Sequence, residues 1–120
     1  MRRNNYVFLM GTVVHYSTNM LPVDGEPTPV MELQIQTDSP DQGGRHRIFV
    51  TGRQALELYH FIQASKDEPL EITVLGWLHS QTDSAVVMAS RVTAVAPRSV
   101  RDLAIQAIQK EKQLPFSSPA

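Results

Sequence analysis

The chain contains no cysteine, which rules out disulfides, a thiolate zinc site and a cysteine nucleophile. It also lacks any apolar run near the ~20 residues that span a bilayer, so no membrane partner is expected. Neither sign of charge prevails: 11 Lys and Arg stand against 12 Asp and Glu, a formal net charge of −1. An indiscriminate nucleic-acid coat draws its affinity from neutralising phosphates, and this balance argues against one. Where individual charges sit is a separate question. After Met1-Arg2-Arg3-Asn4 no unbroken apolar stretch follows, so a signal peptide is not expected and a soluble cytoplasmic protein is the default. Catalytic signatures are missing too. There is no Gly-rich phosphate loop and no nucleophile elbow. The histidines, His15, His46, His60 and His79, do not fall at metal-ligand spacing. Glu57 and His60, three apart on one predicted helix, read as surface decoration. No enzyme activity, cofactor or metal is therefore expected. At 120 residues the chain is one domain, large enough for a core.

What is present starts with Asn5-Tyr6-Val7-Phe8-Leu9-Met10-Gly11-Thr12-Val13-Val14. Val7, Leu9, Gly11 and Val13 share one parity and so one face of a strand. The other face, Tyr6, Phe8, Met10 and Thr12, is also largely apolar. A strand that wants cover on both sides is central in a closed sheet or lies against a partner. Gly11 suggests a bend, as when one strand serves two halves of a small barrel. Tyr6, Phe8 and Met10 together would form a patch that monomers seldom expose. They are read as the interface of a homo-oligomer, a dimer or a tetramer.

Residues 15–29 carry Pro22, Pro27, Pro29 and Asp24-Gly25, and are expected to be a long loop. A half-buried strand follows from Val30 to Thr37, with Met31, Leu33 and Ile35 in and Glu32, Gln34 and Gln36 out. Residues 38–44 mark a turn. In the strand Arg45 to Thr51, Ile48 and Val50 point inward with His46, and Arg45, Arg47, Phe49 and Thr51 point out. Two guanidiniums flanking a ring at strand spacing suit a single nucleic-acid strand, cations to phosphates and ring to base. Residues 53–64 switch to helical periodicity, with Ala55, Leu58 (or Tyr59) and Ile62 on one stripe. The helix is expected to plug a barrel end and to stop before Pro69. From Leu70 to Leu78 alternation returns, placing Leu70, Ile72, Val74, Gly76 and Leu78 inside and Trp77, the one tryptophan, outside. Trp77 suits a stacking platform or an oligomer contact equally. Residues 79–84 turn, and 85–95 form a last strand whose apolar residues on both parities leave its inner face undecided. Ser99-Val100-Arg101-Asp102 resembles a capping box. The helix it opens runs to about Lys112, with Val100, Leu103, Ala104, Ala107 and Ile108 as its stripe, packed on the parent barrel or on another subunit. Residues 113–120 are expected to be a disordered tail.

Strand, strand, strand, helix, strand, strand is the order of a five-stranded oligonucleotide-binding (OB) barrel. The expected fold is thus all-β with one or two helices, as an OB domain over 1–98, a C-terminal helix over 99–112 and the tail. The letters also resemble the bacterial single-stranded DNA-binding protein family, including its primosomal PriB relatives. Asn5, Val7, Leu9, Gly11 and Val13 match its opening pattern, Asn-x-Val-x-Leu-x-Gly-x-Val. His46-Arg47-Ile48-Phe49-Val50-Thr51-Gly52-Arg53-Gln54-Ala55 is similar to its third-strand stretch, and Leu75-Gly76-Trp77-Leu78 resembles its small-residue turn in strand four. The match covers roughly residues 5–95. Arg45 stands where the family has a tryptophan. Full-length members end in an acidic tail finishing in Pro-Phe. Here four residues follow Pro115-Phe116, and Lys110 and Lys112 precede it, so a partner-recruiting tail is not expected.

Residues and resemblance together imply a non-enzymatic binder of single-stranded DNA, with replication or repair proteins as further partners. Arg45, Arg47, Arg53 and Arg91 would meet phosphates, and Phe49, Trp77 and Tyr16 would stack on bases. The alternative is an OB-type protein-interaction module working inside a larger assembly. It is favoured by the missing tryptophan, by the added helix 99–112 and by an acidic balance over residues 1–98, eight Lys and Arg against ten Asp and Glu.

Overall fold

The structure, a computed structural model, describes residues 6–37, 44–66, 68–80, 85–111 and 116. Its elements are β1 (Tyr6–Val23), β2 (Glu26–Gln36), β3 (Arg45–Thr51), α1 (Arg53–Ser65), β4 (Glu71–Ser80), β5 (Ala85–Val95) and α2 (Arg98–Lys110). The strands close into a barrel in the order β1-β2-β3-β5-β4, with α1 between β3 and β4 as expected. Four of the junctions are antiparallel. The fifth, between β3 and β5, is parallel and short: Ile48 lies opposite Val87, and Phe49 opposite Met88.

Strand β1 serves both halves of the barrel. Tyr6–Thr12 pairs with β4, and from Thr12 to Val23 it pairs with β2. The handover falls beside Gly11, where the sequence predicts a bend. A bulge between Val13 and His15 follows at once, and the extra residue reverses the parity of the strand. Val7, Leu9 and Val13 face the core before it, Tyr16 and Met20 after it.

Met31, Leu33, Ile35, Ile48, Val50, Ile72 and Val74 are completely buried. These are the inward sets that alternation assigns to β2, β3 and β4. Each contributes roughly 1.5–3 kcal/mol by leaving water. Helix α1 closes one end with Ala55, Leu56 and Leu58. Its entry is tied to β2 by the Gly52 N–H, which donates to the Pro29 carbonyl at 2.8 Å. Helix α2 lies on α1 of its own chain and buries Ala104 there. Past it, Phe116 is buried and meets Tyr59 edge-on, with centroids 5.5 Å apart. Glu111 Oε1 lies 3.4 Å from His60 Nε2 at the same junction.

Three expectations need correction. Residues 15–29 are a β-ribbon, not a loop: β1 reaches Val23 and β2 starts at Glu26. The two-residue turn Asp24-Gly25 has φ of 52° and 82°, the positive values of a type I′ hairpin. Prolines are tolerated because Pro22 faces Pro27, and Pro29 precedes the first β2–β3 pair, Val30 with Thr51. No ladder bond to a third strand is lost there. As alternation predicts, Leu75 and Gly76 lie within β4, where they face a bulge in β5. A Cβ on Gly76 would run into the Met88 carbonyl oxygen, so only glycine allows this approach. Helix α2 starts at Arg98 behind Pro97, without a side-chain cap, so Ser99 is inside the first turn and the capping box does not form. On its stripe Leu103 is exposed, whereas Val100, Ala107 and Ile108 are half-buried. The turns at 38–44 and 79–84 and the tail 113–120 lie outside the described residues, apart from Gly44, His79, Ser80 and Phe116.

Candidate nucleic-acid interface

Strand register assembles one row of side chains across the outside of the barrel. Tyr6 on β1 stands opposite Trp77 on β4. Trp77 stands opposite Met88 on β5, Met88 opposite Phe49 on β3, and Phe49 opposite Glu32 on β2. Neighbouring strands lie about 4.8 Å apart, so three aromatic rings and a thioether form a continuous band. One rung along, Phe8, Leu75 and Arg91 line up across β1, β4 and β5. On β3, Arg47 and Arg45 continue from Phe49 on the same face, opposite Gln34 and Gln36.

Arg91 reaches this face because of the bulge in β5. Leu75 pairs with Arg91 and Gly76 with Ala89, so Ser90 is the extra residue. Val87 and Ala89 face inward before it, Val92 and Ala94 after it. This settles the face that alternation leaves undecided. Gln54 of α1 holds the kink as a substitute backbone. Its amide donates to the Ser90 carbonyl at 2.9 Å and accepts the Val92 N–H at 2.8 Å. The Ser90 hydroxyl donates to the Leu75 carbonyl at 3.1 Å.

The predicted site residues divide. Arg45, Arg47, Phe49, Trp77 and Arg91 share the outer face. Tyr16 lies past the β1 bulge, packs against the core and accepts a hydrogen bond on its hydroxyl from Gln63 of α1 at 2.7 Å. Arg53 opens α1 and pairs with Glu57 at 3.3 Å. Among the described residues neither Arg45 nor Arg91 forms an ion pair. Arg47 does: its Nε and an Nη both donate to Glu32 Oε2, at 3.1 and 2.7 Å. Glu32, Arg47, Phe49, His79, Val86 and Met88 line a hollow of about 320 Å³. Met88 and Glu32 were not singled out by the sequence, since their neighbours come from other strands and carry no local signal.

The expected interface residues Tyr6, Phe8 and Met10 are exposed by 74, 64 and 60%, and Leu75 beside Phe8 is exposed too. Tyr6–Gly11 pairs with β4 on one side, and among the described residues no strand covers its other edge. No group of three His, Asp or Glu among the described residues is placed to hold a metal. No helix there is long and apolar enough to cross a membrane.

No protein-family model matches the chain, and no curated protein sequence does. Solved structures do. The SSB domain of a Synechococcus sp. protein is 24% identical, with a TM-score of 0.58, covering 77% of this chain and 97% of that one. The dimeric N-terminal domain of PriB from Thermoanaerobacter tencongensis is 19% identical, with a TM-score of 0.51, covering 79% and 100%. The single-stranded DNA binding protein from Thermus aquaticus is 24% identical, with a TM-score of 0.50. There the match covers 82% of this chain but 53% of the other, about half its length. What is shared at these identities is the fold, an OB barrel, and these are proteins of the kind that the sequence motifs resemble.

Proposed function

We propose that this protein binds single-stranded DNA without catalysis, along the outer barrel face, as a homo-oligomer. The observation that carries the reading is the row Trp77–Met88–Phe49, flanked by Arg45, Arg47 and Arg91. Bases stack on aromatic faces whatever their identity, and guanidiniums track the phosphates between them. Tyr16 and Arg53 stand apart from this row, so the reading rests on the other five residues. Proteins of the same fold are single-stranded DNA binders by name, which supports the ligand class. A replication or repair setting in the cytoplasm fits that ligand.

For assembly, Tyr6, Phe8 and Met10 meet a second copy while the open edge of β1 offers it backbone groups. Covered apolar area and strand pairing then act together. Tyr6 is also the cross-strand neighbour of Trp77, so the contact borders the stacking row.

Titration of a fluorescent oligothymidine at two salt concentrations tests the reading. A single strand gives a salt slope of about −0.7 per neutralised phosphate. Three arginines that each neutralise a phosphate would then weaken binding about 20-fold between 50 and 200 mM salt. No binding at low salt refutes the proposal. If a stoichiometric protein partner co-purifies instead, the barrel is an interaction module.

A further inference from the structure

We propose that Glu32 is a built-in competitor for phosphate, and that by occupying Arg47 it sets how tightly the outer face holds a nucleic-acid strand. This rests on the reading of that face as a binding surface and adds its regulation. Glu32 stands opposite Phe49, whereas Arg47 stands opposite Gln34, so the ion pair crosses the ladder diagonally, over the end of the aromatic row. The guanidinium turns one edge, Nε and Nη, to a single carboxylate oxygen at 3.1 and 2.7 Å. A phosphodiester oxygen uses that same two-donor edge. The carboxylate matches such an oxygen in charge, and it sits in the hollow where Phe49 and Met88 offer a base their apolar surface.

Glu32 is held loosely enough to be exchanged. Its side chain and that of Arg47 are exposed by 44 and 42%. Exposed pairs of this kind bias an equilibrium by no more than about fivefold. An incoming phosphate can therefore displace Glu32, but at a cost in affinity. The exchange is read in affinity: without the Glu32 carboxylate the same phosphate contact forms with no ion pair to break.

The test is a double-mutant cycle in the full chain, reading oligothymidine affinity at low salt for wild type, Glu32→Gln, Arg47→Ala and the double variant. Glutamine keeps the size of a half-exposed side chain, and thermal melting checks that each variant is folded. Expected for Glu32→Gln is a complex tighter by about two- to fivefold, and no such gain when Arg47 is alanine. Wild-type affinity in Glu32→Gln would overturn the proposal while leaving nucleic-acid binding itself intact. An equal gain with and without Arg47 would also overturn it, since Glu32 would then be only one more negative charge. If neither wild type nor Glu32→Gln binds at low salt, the binding face and the proposal fall together.

Discussion

Gln54 gives the sharpest test of how the barrel is held. It sits on α1, yet its amide completes the β5 ladder where Ser90 bulges out. Replacing it with alanine removes two hydrogen bonds, each worth about 0.5–1.5 kcal/mol net. The Ser90 contact is exposed, so water replaces much of it. The Val92 N–H is partly buried and is left less well served. The expected loss is about 1–2 kcal/mol, with most of it at Val92. For a chain of this size that corresponds to a melting temperature lower by about 3–10 °C. Gln54→Glu should cost at least as much. It keeps an acceptor for Val92 but sets a carboxylate against the Ser90 carbonyl. Urea unfolding gives the free-energy change, and amide hydrogen exchange localises it, with Val92 expected to exchange faster than Val74 on the neighbouring strand. Unchanged stability in both variants, with unchanged exchange at Val92, would refute the view that the helix amide secures the bulge that turns Arg91 outward.

Other outcomes follow from the outer face. Phe49→Ala and Trp77→Ala should each weaken oligothymidine binding about 5- to 150-fold, the range for one lost stacked base, with little change in salt slope. Trp77 fluorescence should respond to saturating oligothymidine in wild type, and an unresponsive signal would remove Trp77 from the binding row. Phe8→Arg should lower the mass seen by light scattering at micromolar concentration to that of a monomer while preserving the circular dichroism of a β-barrel. A wild type that is already monomeric would contradict the assembly proposal.

Alternation alone was enough to recover the barrel interior. In β2, β3 and β4 most residues of one parity are apolar, and a half-buried strand has only two ways to face, so Met31, Leu33, Ile48, Val50, Ile72 and Val74 were assignable without coordinates. The change of period at Arg53 likewise marked α1. Alternation failed where a strand takes an extra residue. Val14 and Ser90 each reverse the parity of the strand around them, and a bulge depends on what the neighbouring strand offers, not on local letters. The ribbon over residues 15–29 was hidden for a related reason. Proline discourages a strand only where its missing N–H would have had a partner, and Pro22 and Pro27 face each other beyond the sheet.

The site shows the same division. The charges and ring of Arg45, Arg47 and Phe49 were legible because they lie two apart on one strand. Local spacing therefore determined the barrel, its core and that basic-aromatic strand. Tertiary structure decided the rest: it set Met88 between Phe49 and Trp77, brought Glu32 onto Arg47, turned Tyr16 toward α1 and laid α2 along its own chain. Each of these joins residues far apart in sequence, and only the closing of the sheet and the docking of the helices establishes which of them meet.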